Sequence, residues 1–207
     1  MASRGLRIGL LGGSFNPAHR GHRLISLFAL QRLALDQVWW LVSPQNPLKP
    51  RTDMASLSAR IAKASQVAGH PRIRVTALEA ALGTRYTVDT LRALKSRAPG
   101  TVFVWLMGAD NLEQISAWRA WPTIFHLVPI AVFDRPRCAY RALAGKAAQR
   151  FASSRVAASA APTLAGRTPP AWIFFRQRLA DISATEIRRR SLSTTTASQG
   201  DRHRRKA

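Results

Sequence analysis

Six short apolar runs, at 7–11, 38–43, 72–76, 101–107, 127–133 and 172–175, are separated by stretches whose apolar residues recur at helical spacing. This alternation constrains the fold more tightly than any other feature. Runs of this length suit strands buried on both faces, and strand, helix, strand repeats bring successive strands parallel. Helices are expected at about 21–33, 56–68, 87–97, 118–125 and 140–151. In the third of these, Val88, Leu91 and Leu94 form one stripe while Arg92, Lys95 and Arg97 lie off it, the pattern of an amphipathic cover for a sheet. The expectation is an α/β domain with a parallel sheet covered on both faces. At 207 residues the chain holds one such domain with a small appendage or tail, not two.

The segment 152–171 turns to Ala, Ser, Pro and Gly, which predicts a mobile loop or irregular connection, a surface excursion rather than a lid. After about residue 190 the chain becomes Ser/Thr-rich and ends in Arg202, His203, Arg204, Arg205 and Lys206. We read 1–190 as the domain and 191–207 as a disordered basic tail. The longest apolar runs fall well short of a bilayer span, and 6–13 runs into Gly-Gly without a cleavage site, so it reads as a buried first strand rather than a signal core. A soluble, cytoplasmic protein without membrane association is expected. Cys138 alone allows neither an intrachain disulfide nor a cysteine zinc site.

Thirty-two basic residues stand against ten acidic ones, a net charge of +22 that favours polyanionic partners, nucleotides or nucleic acid. Most of these charges also fit plain solvated faces. With so few carboxylates the protein has little material for a metal cage, so no protein metal site is expected and Mg²⁺ would arrive on substrate phosphates.

The chemistry concentrates after the first strand, in Gly12-Gly13-Ser14-Phe15-Asn16-Pro17-Ala18-His19-Arg20-Gly21-His22. Adjacent glycines let the backbone turn sharply and approach an anion, and the helix that follows points its positive end at the same place. His19 and His22, three residues apart at a helix start, can both face one locus, where imidazole N–H donors would stabilise charge on a phosphoryl group. The same two residues also read as one helix cap and one core histidine. Far along the chain, Ile182-Ser183-Ala184-Thr185-Glu186-Ile187-Arg188 has capping-box spacing between Ser183 and Glu186, with Arg188 one turn on.

The first of these strings resembles the signature of the HIGH-type nucleotidyltransferases, and in particular of bacterial nicotinate-nucleotide adenylyltransferases. Members usually carry Asp where this chain has Asn16, whose side-chain oxygen can still shape the turn. The 182–188 string resembles the family's second phosphate motif, and Gly108-Ala109-Asp110-Asn111-Leu112 resembles its nucleotide segment, although Asp110 alone reads equally well as a helix cap. The resemblance implies a Rossmann-like doubly wound fold with a short C-terminal helical part. It implies an enzyme that joins AMP from ATP to nicotinate mononucleotide. ATP would lie on Gly12, Gly13, Ser14, Phe15, His19, His22, Gly108, Asp110, Ile182, Ser183, Thr185 and Arg188, with His19, His22 and Arg188 catalytic.

For the acceptor, the resemblance points to Asn46 and Lys49 in a proline-stiffened loop, Tyr86 and Thr87 at a helix start, and Trp118. An aromatic face stacks on a pyridine ring and helix-start amides suit its carboxylate. Trp118 also reads as core, the reading we keep for Trp39, Trp40, Trp105 and Trp121. The competing readings are a relative using nicotinamide mononucleotide or pantetheine phosphate, and a basic nucleic-acid-binding module. A homo-oligomer is left open.

Overall fold

The computed structural model describes residues 5–44, 54–135 and 138–176. Among them, seven strands form one sheet: β1 (Arg7–Gly13), β2 (Gln37–Val42), β3 (Ile73–Thr76), β4 (Val102–Gly108), β5 (Ile130–Phe133), β6 (Arg155–Val156) and β7 (Trp172–Phe175). Their order is β3-β2-β1-β4-β5-β7-β6 and every pairing is parallel. The order reverses between β1 and β4, so the crevice at their carboxyl ends is where an open α/β sheet receives its ligand.

Alternation along the strands divides the core in two. Leu10, Phe103, Trp105, Met107, Val132 and Trp172 face one side, where they pack with α4 (Thr87–Arg97), α5 (Ala109–Gln114), α6 (Trp121–Leu127), α7 (Ala139–Ala144) and α8 (Lys146–Arg150). Leu11, Trp40, Val104, Leu106, Phe133 and Ile173 face the other, under α1 (Arg20–Arg32) and α2 (Leu57–Ala68). A short helix, α3 (Leu78–Ala81), follows β3. The doubly wound parallel sheet expected from the sequence is present. Among the described residues no helix is long and apolar enough to cross a membrane.

Local chemistry sets the helix ends. Ser56 caps α2 by accepting the Ala59 N–H, and Gly69 closes it in the left-handed conformation that glycine adopts without strain. The expected helix at 140–151 is divided at Gly145, whose extended backbone ends α7 and caps α8. Instead of a helix from Trp118, a 3-10 turn (Ile115–Ala117) is followed by Ala120 at φ 47°, and α6 opens only at Trp121. The strand expected from residue 127 begins at Ile130, because Leu127 still closes α6.

The segment 152–171 is not the surface excursion expected. It contributes β6 and a 3-10 stretch, Ala158–Gly166, whose Ala161, Leu164 and Ala165 are buried against the sheet. Its small residues, read as loop signals, instead allow close packing under β4 and β7. Leu164→Ala should therefore cost about 2–5 kcal/mol, the range for a fully buried leucine. Urea unfolding tests this, and a loss under about 0.5 kcal/mol would return the segment to the surface.

Candidate active site

β1 delivers the chain to Gly13 at the crevice, and the turn that follows is built from the core outward. Phe15 takes a left-handed backbone, φ 46°, and its ring is buried, stacked on Trp40 at 5.1 Å and tilted against His22 at 4.7 Å. Only the main chain of Phe15 is thus left to a ligand. Gly12 answers to packing as well, since a Cβ there would stand 2.6 Å from the Trp105 indole.

His19 and His22 cap α1 reciprocally. His19 Nδ1 accepts the Gly21 N–H at 3.1 Å, and His22 Nδ1 accepts the His19 N–H at 3.2 Å. A ring nitrogen that accepts carries no proton, so each neutral imidazole keeps its hydrogen on Nε2. The ring centroids lie 3.9 Å apart. Burial, and secondarily the charge of Arg135, lowers the His19 pKa from 6.5 to about 4. Burial, then His19 and Arg135, holds His22 well below 6.5. Both histidines therefore cap, rather than one capping and one filling the core, and the two rings are fixed through Nδ1, each with an Nε2–H left to donate.

The ends of β4 and β5 complete this corner. Gly108 is the N-cap of α5, and Asp110 in the first turn caps nothing. Its carboxylate instead pairs with Arg135, Nε to Oδ1 3.1 Å, without hydrogen-bond alignment. A Cβ on Gly108 would come within 2.3 Å of Asp110 Oδ1 and 2.6 Å of Arg135 Nε, so glycine makes room for the pair. Arg135, whose charge reaches both histidines, was not anticipated from the sequence. Its signal was available in Asp134-Arg135-Pro136-Arg137, a basic run directly after a strand.

On the neighbouring part of the carboxyl edge, Tyr86 is the extended N-cap residue of α4 and Thr87 its first residue. Arg119 lies 4.9 Å over the Tyr86 ring and 3.6 Å from Asp89, which also pairs with Arg92. Trp118, beside Arg119, is half-buried against the same core cluster as Tyr86. Arg119, the residue after Trp118, thus lies on the start of α4 that carries Tyr86 and Thr87. Trp40, Trp105 and Trp121 are core, as read, and Trp39 packs against it half-buried. Asn46, Lys49, Ile182, Ser183, Thr185 and Arg188 lie outside the described residues, as does the basic tail.

Two further buried charges escaped the sequence reading. Arg60 is only 3 % exposed, and burial lowers its pKa. It shares a stripe with Ala64 and Ala68, so its sequence signal was a charge at a core position. Glu79 is 6 % exposed, and burial raises its pKa to about 7 against the opposing effect of the Ser43 and Thr90 hydroxyls.

Comparison with known proteins adds the following. The cytidylyltransferase-like family model matches residues 10–190. The probable nicotinate-nucleotide adenylyltransferase of Bradyrhizobium sp. (strain ORS 278) is 52 % identical over 183 residues, 88 % of this chain and 95 % of that protein. A protein of the same name from Methylorubrum extorquens is 51 % identical, covering 89 % of this chain and all of its own. Plasmodium falciparum nicotinic acid mononucleotide adenylyltransferase, solved in complex with NaAD, shares the fold with a TM-score of 0.67 at 15 % identity, over 89 % of this chain and 83 % of that one.

Nitrogen NMR at pH 7 should show the Nε2–H tautomer for both His19 and His22, with no titration of either near pH 6.5. A protonated Nδ1 on either ring would contradict the capping pair. Stability should also carry opposing pH terms. Unfolded His19 takes up a proton near 6.5 and the folded residue only near 4, so stability is lost as pH falls through that window. Folded Glu79 holds its proton up to about 7 and the unfolded residue only to about 4.5, so its contribution grows as pH falls. Glu79→Gln removes the second term, and its melting temperature should drop more steeply than that of the parent protein between pH 6.5 and 4.5.

Proposed function

This chain belongs to the cytidylyltransferase-like family, and from that premise we propose that it is a nicotinate-nucleotide adenylyltransferase, converting ATP and nicotinate mononucleotide to nicotinate adenine dinucleotide and pyrophosphate. The relatives that share about half their residues with nearly the whole chain carry that name. The observation that carries the mechanism is the reciprocal capping of His19 and His22, which leaves two neutral Nε2–H donors at the crevice between β1 and β4.

In this reading a phosphate oxygen of the acceptor attacks the α-phosphorus of ATP in line. The new P–O bond forms as the bond to the bridging oxygen of the β-phosphate breaks, and pyrophosphate departs with that electron pair. No covalent enzyme intermediate is required. His19 and His22 donate to the oxygens on which charge develops, and the amino end of α1 adds its dipole. Because the rings are already neutral and held through Nδ1, they need no reorganisation when charge appears. Arg135, paired with Asp110, supplies positive potential at the same corner.

Gly12, Gly13, Ser14 and Phe15 offer main-chain groups to the triphosphate, while Gly108 and Asp110 border the nucleoside. Ile182, Ser183, Thr185 and Arg188 would hold the departing pyrophosphate. β7 supports this by ending at Phe175 on the same carboxyl edge. The amides at Tyr86 and Thr87 would take the nicotinate carboxylate and Trp118 would stack on its ring, with Asn46 and Lys49 completing the acceptor site. Among the described residues no group of three or more His, Cys, Asp or Glu could hold a metal ion. Mg²⁺ would come as a companion of the triphosphate, whose charge it would partly neutralise.

Purified protein given ATP, Mg²⁺ and either nicotinate or nicotinamide mononucleotide should release pyrophosphate faster with the nicotinate acceptor. Preference for the amide, or no turnover with either, would overturn the assignment. His22→Ala removes one oriented donor and should lower kcat by about 10²–10³. The lost cap should cost only about 0.5–2 kcal/mol of stability, so a folded variant with full activity would refute the role.

A further inference from the structure

The chain leaves β1 by breaking the strand pattern. Along a regular strand successive carbonyls point to opposite sides. Here Gly13 and Ser14 direct theirs to the same side. The Gly13 carbonyl accepts the Ser43 N–H at 2.9 Å, and the Ser14 carbonyl accepts Arg60 Nη1 at 2.7 Å, the same nitrogen that donates to the Ser43 carbonyl at 2.8 Å. Ser43 directly follows β2, so both carbonyls lie toward β2. The peptide bonds after Gly13 and Ser14 are trans, and a trans peptide sends its N–H opposite to its carbonyl. The N–H groups of Ser14 and Phe15 therefore both face away from β2, and β1 stands between β2 and β4. Among the described residues neither N–H has a hydrogen-bond partner.

Arg60 holds this arrangement from behind. Its Nη2 also donates to the Pro44 carbonyl at 3.1 Å and its Nε to that of Ala55 at 2.9 Å, so one guanidinium ties together three separate segments. Only 3 % exposed, it does not itself meet a ligand. A second tie runs beside it, for Asn16 Oδ1 accepts the Ala55 N–H at 3.3 Å. Phe15, between the two ties, keeps φ 46°, a left-handed backbone that a bulky residue holds only where its surroundings enforce it. Successive main-chain N–H groups around such a residue form a concavity suited to an anion. Packing alone would put an apolar side chain on the stripe of Ala64 and Ala68, since a buried cation is tolerated only when it is well hydrogen-bonded.

We propose that Arg60 is a positioning residue for the triphosphate: by drawing the Ser14 carbonyl toward β2 it turns the Phe15 N–H into the crevice beside that of Ser14, giving the phosphates two adjacent fixed donors. The inference rests on the adenylyltransferase reading for the identity of the substrate, but phosphate binding is measured without turnover.

Inorganic tripolyphosphate, titrated into the unaltered protein at about 0.3 M salt to screen the exposed basic surface, should move the Ser14 and Phe15 amide proton signals downfield. No binding, or binding that leaves both signals unmoved, would overturn the proposal. This measurement needs no variant and so decides the matter even where an Arg60 protein fails to fold. Arg60→Lys keeps a positive charge without the planar fork, and should weaken tripolyphosphate binding about 10–100-fold, the range for misaligned hydrogen bonds to a charged group. Arg60→Met should lose at least as much. Adenosine should bind both variants within about 2-fold of the parent, and in turnover the KM for ATP should rise while that for nicotinate mononucleotide changes less than about 2-fold. Ser56→Ala, which weakens α2 at its cap but leaves the guanidinium in place, is the stability control and should bind tripolyphosphate as the parent does. Parent-like tripolyphosphate affinity in a folded Arg60 variant, an equal loss for adenosine, or an equal loss in Ser56→Ala would refute the positioning role. A parent protein that binds tripolyphosphate at these amides yet turns over neither mononucleotide would instead sink the adenylyltransferase reading and leave the role of Arg60 standing.

Discussion

The mutual capping of His19 and His22 is the interaction on which the site depends. A helix start leaves unpaired N–H groups, and here two are satisfied by imidazole nitrogens rather than by the usual hydroxyls or carboxylates. That choice has an electronic consequence. Committing Nδ1 to the backbone puts the proton on Nε2, and burial, for His22 against Phe15 and Trp40, keeps both rings uncharged. One local arrangement thus caps α1, fixes two tautomers and presents two donors at the end of a helix dipole.

Charge is managed around this pair by the fold. The chain is strongly basic, yet the cations that matter to the site are those removed from solvent or paired at the crevice. Arg135 leans on Asp110 and lowers the proton affinity of both histidines. Arg60 is held by the dipoles of four carbonyls. Glu79 is the complementary case, a carboxyl whose burial favours the protonated form against the opposing effect of the nearby Ser43 and Thr90 hydroxyls. Of the three, Arg60 joins separate segments, and its hydrogen-bonding capacity rather than net charge explains its position.

The reading of segment 152–171 shows where sequence patterns fail. Alanine, proline and glycine in one stretch give no clear apolar period, so their concentration reads as a connection. Alanine is also the side chain that lets a 3-10 stretch approach a sheet closely, and Ala161 and Ala165 are buried for that reason. Nothing in the local string separates these uses, because the difference lies in what it packs against. The divided helix at Gly145 and the late start of α6 after Ala120 were missed for a related reason: apolar spacing gives the direction of a face, not the continuity of the backbone that carries it.

By itself the sequence determined the layered parallel sheet, through buried strands alternating with amphipathic helices. It also marked the glycine turn and paired histidines, because contiguous residues at a strand-to-helix junction have their geometry set locally. Only the tertiary structure could decide that Arg135 approaches those histidines, that Asp110 pairs instead of capping, and that Arg60 reaches the carbonyls of Ser14, Ser43, Pro44 and Ala55. Most of these contacts join residues far apart in the chain, and the backbone carbonyls that hold Arg60 carry no pattern in the sequence. Hydrogen bonds of that kind exist only after the sheet order has brought the carboxyl ends of the strands to one edge.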